Sequence, residues 1–295
     1  MKEVRQDDAL LRGVFYMCLG VALIAVQEAL AKYLGESLPM LQVIGARYIG
    51  HLFLMIIILM PTNGWSVLKA KRPAVQIGRS VLLLIDTGLF FFSLTLIGLA
   101  EATAIFFSVP ILVVLLSIPF LGERVGWRRL LAVLIGFVGM LVIIRPGTGV
   151  VGIGAMLTFG AAICASLFNI ITRKLADEDP LPVTMFYTAL VGASIVIFSL
   201  PFVWESPLGW QQWAGLAAIG LFGGAAHCAM IASHAFAPAS AVAPFMYSQI
   251  FWAIGFGYLL FDALPDEYTI LGGIIVVVSG IYLLRRQRIE ADLIA

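Results

Sequence analysis

"ATAIFFSVPILVVLLSIPFLGE" (Ala102–Glu123) carries one charge in 22 residues, at its last position. A hydrocarbon core about 30 Å thick takes roughly 20 apolar residues of helix, so the stretch reads as a membrane span. A near twin, "AVAPFMYSQIFWAIGFGYLLFD" (Ala241–Asp262), begins 139 residues later. Ala102 matches Ala241, Ala104 matches Ala243, Phe106 matches Phe245 and Glu123 matches Asp262. Beyond the twins, Gly139 of "GFVGMLVII" matches Gly280 of "VVSGIYLL". Before them, "LAKYLGE" (Leu30–Glu36) matches "ITRKLAD" (Ile171–Asp177). The chain therefore reads as one unit used twice.

Composition sets the class. Of 295 residues, 61% are hydrophobic and 12% charged, and the mean hydropathy is +1.03. An average soluble domain carries about 25% charged residues, so this chain reads as a polytopic membrane protein. A net charge of +1 gives no basic face for nucleic acid. Cys18, Cys164 and Cys228 all fall in apolar runs, without metal spacing or a disulfide framework.

Ten apolar runs are long enough to span. They cover approximately 12–33, 39–60, 76–97, 101–121, 127–145, 150–174, 181–203, 211–234, 239–261 and 268–284. With the N-terminus in the cytoplasm, 15 of the 18 Lys and Arg fall inside. Lys32 and Arg145 fall outside, and Arg47 lies within the membrane. This asymmetry predicts both termini in the cytoplasm. Five spans per unit is an odd number, so the second unit must be inverted relative to the first. Inverted repeats are a transporter architecture, with the binding site near the midplane where the halves meet.

These residues carry a family resemblance. Leu99–Gly147 and Ala235–Leu284 resemble the ends of two EamA-type repeats of the drug/metabolite transporter superfamily. The resemblance implies an all-α membrane protein: ten transmembrane helices as two inverted five-helix repeats around a central cavity. The units would be 1–147 and 148–288, with a cytoplasmic tail at 289–295. Related bacterial members export amino acids. Others, with patterns similar to "ALAKYL" (Ala29–Leu34) and "ITRKL" (Ile171–Leu175), move S-adenosylmethionine, riboflavin or opine-like metallophores. Such relatives often have Asp where this chain has Glu28.

Several polar residues within the spans are candidates for the pathway. Asp86 lies near the middle of the third span, where an unpaired carboxylate is costly. It reads as a proton-coupling or substrate-amine site, or as a carboxylate bonded to Ser or Thr of a neighbouring helix. Glu28 and Arg47 fall at similar depth on the first two spans. They read either as a structural ion pair or as an Arg47 that grips a substrate carboxylate with its planar fork of donors. His51, four residues after Arg47, shares its face and is a candidate coupling group or a helix–helix hydrogen-bonder. His227 and His234 read as helix–helix hydrogen-bonders. Asn169 is the repeat counterpart of Glu28. Pro110 breaks the backbone ladder of the fourth span, and Gln249 is its counterpart. Phe106, Tyr247 and Trp252, with Phe107, supply a candidate aromatic lining, or ordinary packing. Gly136, Gly139, Gly272, Gly273 and Gly280 read as close-packing positions.

There is no phosphate-cradling loop of the GxxxxGK[ST] type, no HExxH and no GxSxG, so the chain lacks visible equipment for ATP hydrolysis or enzyme chemistry. The expected function is secondary-active transport across the bacterial inner membrane by alternating access. Amino acids or their derivatives, exported, are the first expected cargo. S-adenosylmethionine, riboflavin or an opine-like metabolite is the alternative. A non-transporting scaffold or sensor would need an extramembrane domain, which the short loops do not supply. Expected partners are a small-molecule substrate and the lipid bilayer, with protons as a candidate coupling ion. No cofactor, metal or nucleic acid is expected, and the unit is a monomer or homodimer.

Overall fold

The computed structural model describes residues 2–121, 127–145, 152–175, 178–236 and 243–292. Among them there are helices and turns but no strand. The helices are α1 (Lys2–Gly35), α2 (Met40–Asn63), α3 (Pro73–Leu94), α4 (Leu99–Phe106), α5 (Val109–Leu121), α6 (Trp127–Ile144), α7 (Gly152–Leu175), α8 (Leu181–Val203), α9 (Trp210–Phe236), α10 (Gln249–Phe261) and α11 (Glu267–Asp292). Glu123, Gly147, Asp177 and Ala241, used in the repeat and its boundaries, lie outside the described residues. Seven described segments are long and apolar enough to cross a membrane, and three shorter apolar helices add to them.

Local chemistry sets the helix ends. α2 and α8 each start one residue after a proline, Pro39 and Pro180, held extended at φ −55° and −58°. In each case the proline carbonyl accepts the first backbone bonds of the helix, from Gln42 and Val43 or from Val183 and Thr184. The two prolines are 141 residues apart, the spacing of the upstream repeat match. α2 stops where Gly64 takes φ +55°, which only glycine adopts without strain. α3 restarts with Pro73 in its first turn.

One expectation needs revision in detail. The apolar run at 101–121 is not one helix. It breaks at Phe107–Ser108 into α4 and α5, just before Pro110, which has no N–H to give the Phe106 carbonyl four residues back. The run at 239–261 is divided too: a 3₁₀ segment, Ala243–Ser248, precedes α10. The breaks fall at matching places in the two halves.

Packing also pairs off across the halves. α1 lies against α9, and α3 lies against α7. α2 packs on α9 as α3 does on α8, while α2 with α8, and α6 with α11, pair with each other. Close crossings use glycine. A Cβ on Gly272 would lie 2.5 Å from the Gly139 carbonyl oxygen, and one on Gly50 would lie 2.8 Å from the Gly220 Cα. Gly136 and Gly280 abut Ile111 and Tyr247, whereas Gly273 has room for a methyl.

A central cluster of Leu34, Val43, Ile44, Tyr48, Phe90, Phe91 and Leu94 joins α1, α2 and α3 to α8 and α9. A second cluster joins α4 and α5 to α6 and α11. Phe198, Phe202, Phe251 and Leu259 point away from the bundle, as lipid-facing residues do. Trp65, Trp127, Trp204, Trp210 and Trp213 are exposed at helix ends, the depth at which tryptophan anchors to the membrane interface.

Candidate functional site

The polar residues buried in this apolar bundle meet at the second break. Gln249 is the first residue of α10. Its Nε2 donates to both Glu28 oxygens, at 2.9 and 3.0 Å. Glu28, two turns from the C-terminal end of α1, is 6% exposed. The contact ties the first long helix of one half to the broken helix of the other. It also places a helix N-terminus, with its partial positive charge, beside a carboxylate.

Arg47 and Asp86 complete the cluster from α2 and α3, at 5% and 7% exposure. Each lies close enough to feel the other's charge, and Glu28 feels both. Yet no oxygen of either carboxylate lies within 4.0 Å of an Arg47 nitrogen. The guanidinium instead lies over the Tyr48 ring, 4.6 Å from its centroid. Nε and Nη1 of Arg47, and Oδ1 of Asp86, are buried without a hydrogen-bond partner. Burying a charge in an apolar bundle without a partner is costly, so packing alone does not account for this capacity.

Tyr48 is fixed by a two-step chain. The Thr87 hydroxyl donates its one proton to the Leu83 carbonyl at 2.8 Å. Tyr48 must therefore donate to Thr87, at 3.1 Å. Thr87 follows Asp86, so the chain sets the Asp86 backbone against α2. Cys164 of α7 lies within electrostatic reach of Asp86. One turn along α2, His51 stacks on His227 of α9, with ring centroids 5.4 Å apart and planes 4° from parallel. No group of three or more His, Cys, Asp or Glu among the described residues could hold a metal.

The other sequence candidates fall elsewhere. Phe106 is half-buried and meets Phe90 edge-on at 5.0 Å, on the rim of the central cluster. Tyr247 belongs to the second cluster, edge-on to Phe107 at 5.1 Å, with its hydroxyl against Gly280 and unpartnered. Trp252 is 46% exposed and stacked on Phe256. Asn169 turns its amide back to the Ala165 carbonyl of its own helix. Of Pro110 only the backbone is described, and the His234 side chain lies outside the described residues. A recess of about 850 Å³ opens at the C-terminal end of α1, lined by Lys32, Glu36, Gly98, Tyr258 and Phe261, and does not include the Glu28–Gln249 pair.

A second polar network was hidden in the sequence. Arg79, counted above among the loop-side basic residues, is 1% exposed in α3. It donates to the Thr172 hydroxyl at 3.1 Å, the Thr184 carbonyl at 2.7 Å and the Thr188 hydroxyl at 2.6 Å. Its guanidinium also lies over Phe168. Beside it, Gln76 donates to Asp179 and Thr184. The one available signal was Thr184 and Thr188 at i, i+4 spacing on a helix facing α3.

The fold and the buried charges define a multi-pass helical membrane protein with a polar cluster inside its bundle. The model of the EamA-like transporter family matches residues 11–145 and again 152–286. The chain belongs to that family, and so to the drug/metabolite transporter superfamily, and is a transporter rather than an enzyme. It is similar to the S-adenosylmethionine uptake transporter of Rickettsia felis, with 26% identity over 96% of each chain. It is 27% identical to the pseudopaline exporter of Pseudomonas aeruginosa, over 95% of this chain and 99% of that one. It is 25% identical to a riboflavin transporter of Vibrio cholerae, over 91% of each. A solved crystal structure shares the fold at a TM-score of 0.63 and 20% identity, covering 96% of this chain and 99% of the other.

Proposed function

We propose that this protein is a secondary-active carrier of a small organic metabolite, working by alternating access between two inverted five-helix repeats in the bacterial inner membrane, with both termini cytoplasmic. The observation that carries the reading is the Glu28–Gln249 contact, which joins the two halves at a broken helix beside the unsatisfied Arg47 and Asp86. The matched helix breaks and the cross-half packing support the repeats. So do the two family matches, whose ends approach the proposed units 1–147 and 148–288. Inversion follows from five spans per unit.

The cargo we put first is of the kind named for the relatives: S-adenosylmethionine, an opine-like metallophore or riboflavin. Those names lend no support to free amino acids, so amino-acid export falls behind them. Proton coupling, where it operates, runs through Glu28 or Asp86, the buried carboxyls of the cluster.

Counterflow tests the reading. Purified protein in liposomes preloaded with unlabelled S-adenosylmethionine or riboflavin should accumulate the labelled compound from outside. Absence of counterflow with every such compound would overturn it.

A further inference from the structure

We infer that the Glu28–Arg47–Asp86 cluster recognises a cargo bearing both a carboxylate and a cationic centre, such as the α-amino-acid end of a larger molecule. The inference rests on the carrier reading above and narrows its substrate class.

Arg47 and Asp86 keep hydrogen-bonding capacity that the described residues do not answer. Arg47 leaves Nε and Nη1 unused although it is 95% buried by its 5% exposure. Asp86 makes no hydrogen bond among the described residues, and its Oδ1 is sealed from solvent. Among the described residues Glu28 holds a single donor, the Gln249 amide, although a carboxylate has about four acceptor sites. Groups of opposite sign thus sit within electrostatic reach of each other without touching. Had they served only to neutralise one another, a direct ion pair would answer both.

A purely anionic cargo would satisfy Arg47 and face two carboxyls. A purely cationic cargo would satisfy the carboxyls and face Arg47. A neutral cargo would leave both signs unanswered in a low-dielectric site. A cargo with a carboxylate for Arg47 and an ammonium or sulfonium for Asp86 and Glu28 answers both at once. The guanidinium fork suits the carboxylate. The Tyr48 ring beneath it holds Arg47 in place, and the Tyr48–Thr87 bond holds that ring.

The test removes charges from the ligand, so it needs no mutant to fold. Binding of labelled S-adenosylmethionine to the full-length protein in nanodiscs is competed with unlabelled S-adenosylmethionine, with its decarboxylated form and with riboflavin. A hydrogen-bonded charge pair of this kind predicts about 10- to 100-fold weaker competition by the decarboxylated form. In Arg47→Gln that preference should fall below about threefold. In Asp86→Asn, S-adenosylmethionine should weaken while the preference for the carboxylate persists. Equal competition by the two forms in the wild-type protein would overturn the inference, as would an Arg47→Gln variant that keeps the full preference. Riboflavin counterflow without S-adenosylmethionine binding would overturn the inference and leave the carrier reading standing. Failure of every compound both to bind and to exchange would overturn both.

Discussion

Arg79 offers a test in which two conservative changes act in opposite directions. Its guanidinium is buried between α3, α7 and α8, with no carboxylate within ion-pairing distance among the described residues. Thr188→Val keeps the shape of α8 but removes the hydroxyl that accepts from Arg79 at 2.6 Å. A hydrogen bond to a charged group is worth about 1.5–3 kcal/mol, and its loss leaves the charge less well answered. The packed arrangement of α3 on α8 should weaken by that amount, raising the separated population about 10- to 100-fold. Arg79→Met removes the charge itself. Thr172 and Thr188 already donate to the Phe168 and Thr184 carbonyls of their own helices, so they keep partners. Replacing a buried ion pair by apolar side chains is often neutral or stabilising by about 1–4 kcal/mol, because the desolvation of the charges is relieved, and a lone buried guanidinium carries the same desolvation cost. Met should therefore hold α3 on α8 at least as tightly. The assay is maleimide labelling of Ser80→Cys, at the fully buried position next to Arg79 in α3, in a background with Cys18, Cys164 and Cys228 replaced by Ser. Thr188→Val should speed labelling, Arg79→Met should leave it unchanged or slower, and the double variant should cancel the valine effect. Faster labelling in Arg79→Met would refute the reasoning, since it would make the buried charge a net stabiliser of the contact.

Other expectations follow from single contacts. Gln249→Leu removes the only hydrogen-bond donor to the Glu28 carboxylate among the described residues, so counterflow should fall and the thermal midpoint should drop. A variant with unchanged flux would remove this contact from the transport pathway. Gly272→Ala should destabilise, since its Cβ would fall 2.5 Å from the Gly139 carbonyl, while Gly273→Ala, with its nearest atom at 3.8 Å, should be silent. Equal thermal midpoints for the two would contradict the crossing. At the α10–α11 turn, partial burial opposes ionisation of Asp266. Hydrogen bonding by Thr269 and the Arg145 guanidinium, 2.7 Å away, outweighs it and holds the carboxyl below its usual range. A depressed folded value means the stabilisation is complete above the unfolded carboxyl value of about 3.9 and is lost as pH falls through the folded one. The thermal-midpoint difference between wild type and Asp266→Asn should be flat from about pH 5 to 8 and shrink only in acid; a difference that varies within that window would contradict this assignment.

What the sequence made legible follows the range of each interaction. Spans and the repeat come from local apolar composition, so the α2 and α8 starts at Pro39 and Pro180 were within reach. Arg47 stood out because a charge interrupts an apolar run. Its environment did not. Proximity in the chain suggested Glu28 as its partner, but Glu28 is taken by Gln249, 221 residues away. Arg79 was lost for the opposite reason. Two turns into α3, close to a basic loop, it looks like one more loop-side charge, and only the α3–α8 crossing buries it. Tyr247 and Trp252 shared a short stretch with Gln249, yet successive residues of a helix diverge in direction, and only Gln249 reaches the carboxylate.

The 141-residue spacing that matches Pro39 with Pro180 also matches Arg47 with Thr188. At both places an arginine is buried. On α2 the matching residue is itself the arginine, and two of its nitrogens lack partners. On α8 the matching residue is the threonine whose hydroxyl accepts from an arginine of α3. Arg79 donates to three groups of α7 and α8, whereas Nε and Nη1 of Arg47 find no partner among the described residues. Two symmetric halves would give two states of equal energy and no preference for when to change. On the proposed carrier reading, exchanging which helix carries the arginine would break that tie, because cargo would act on the Arg47 side while the Arg79 side is already held by the protein's own groups.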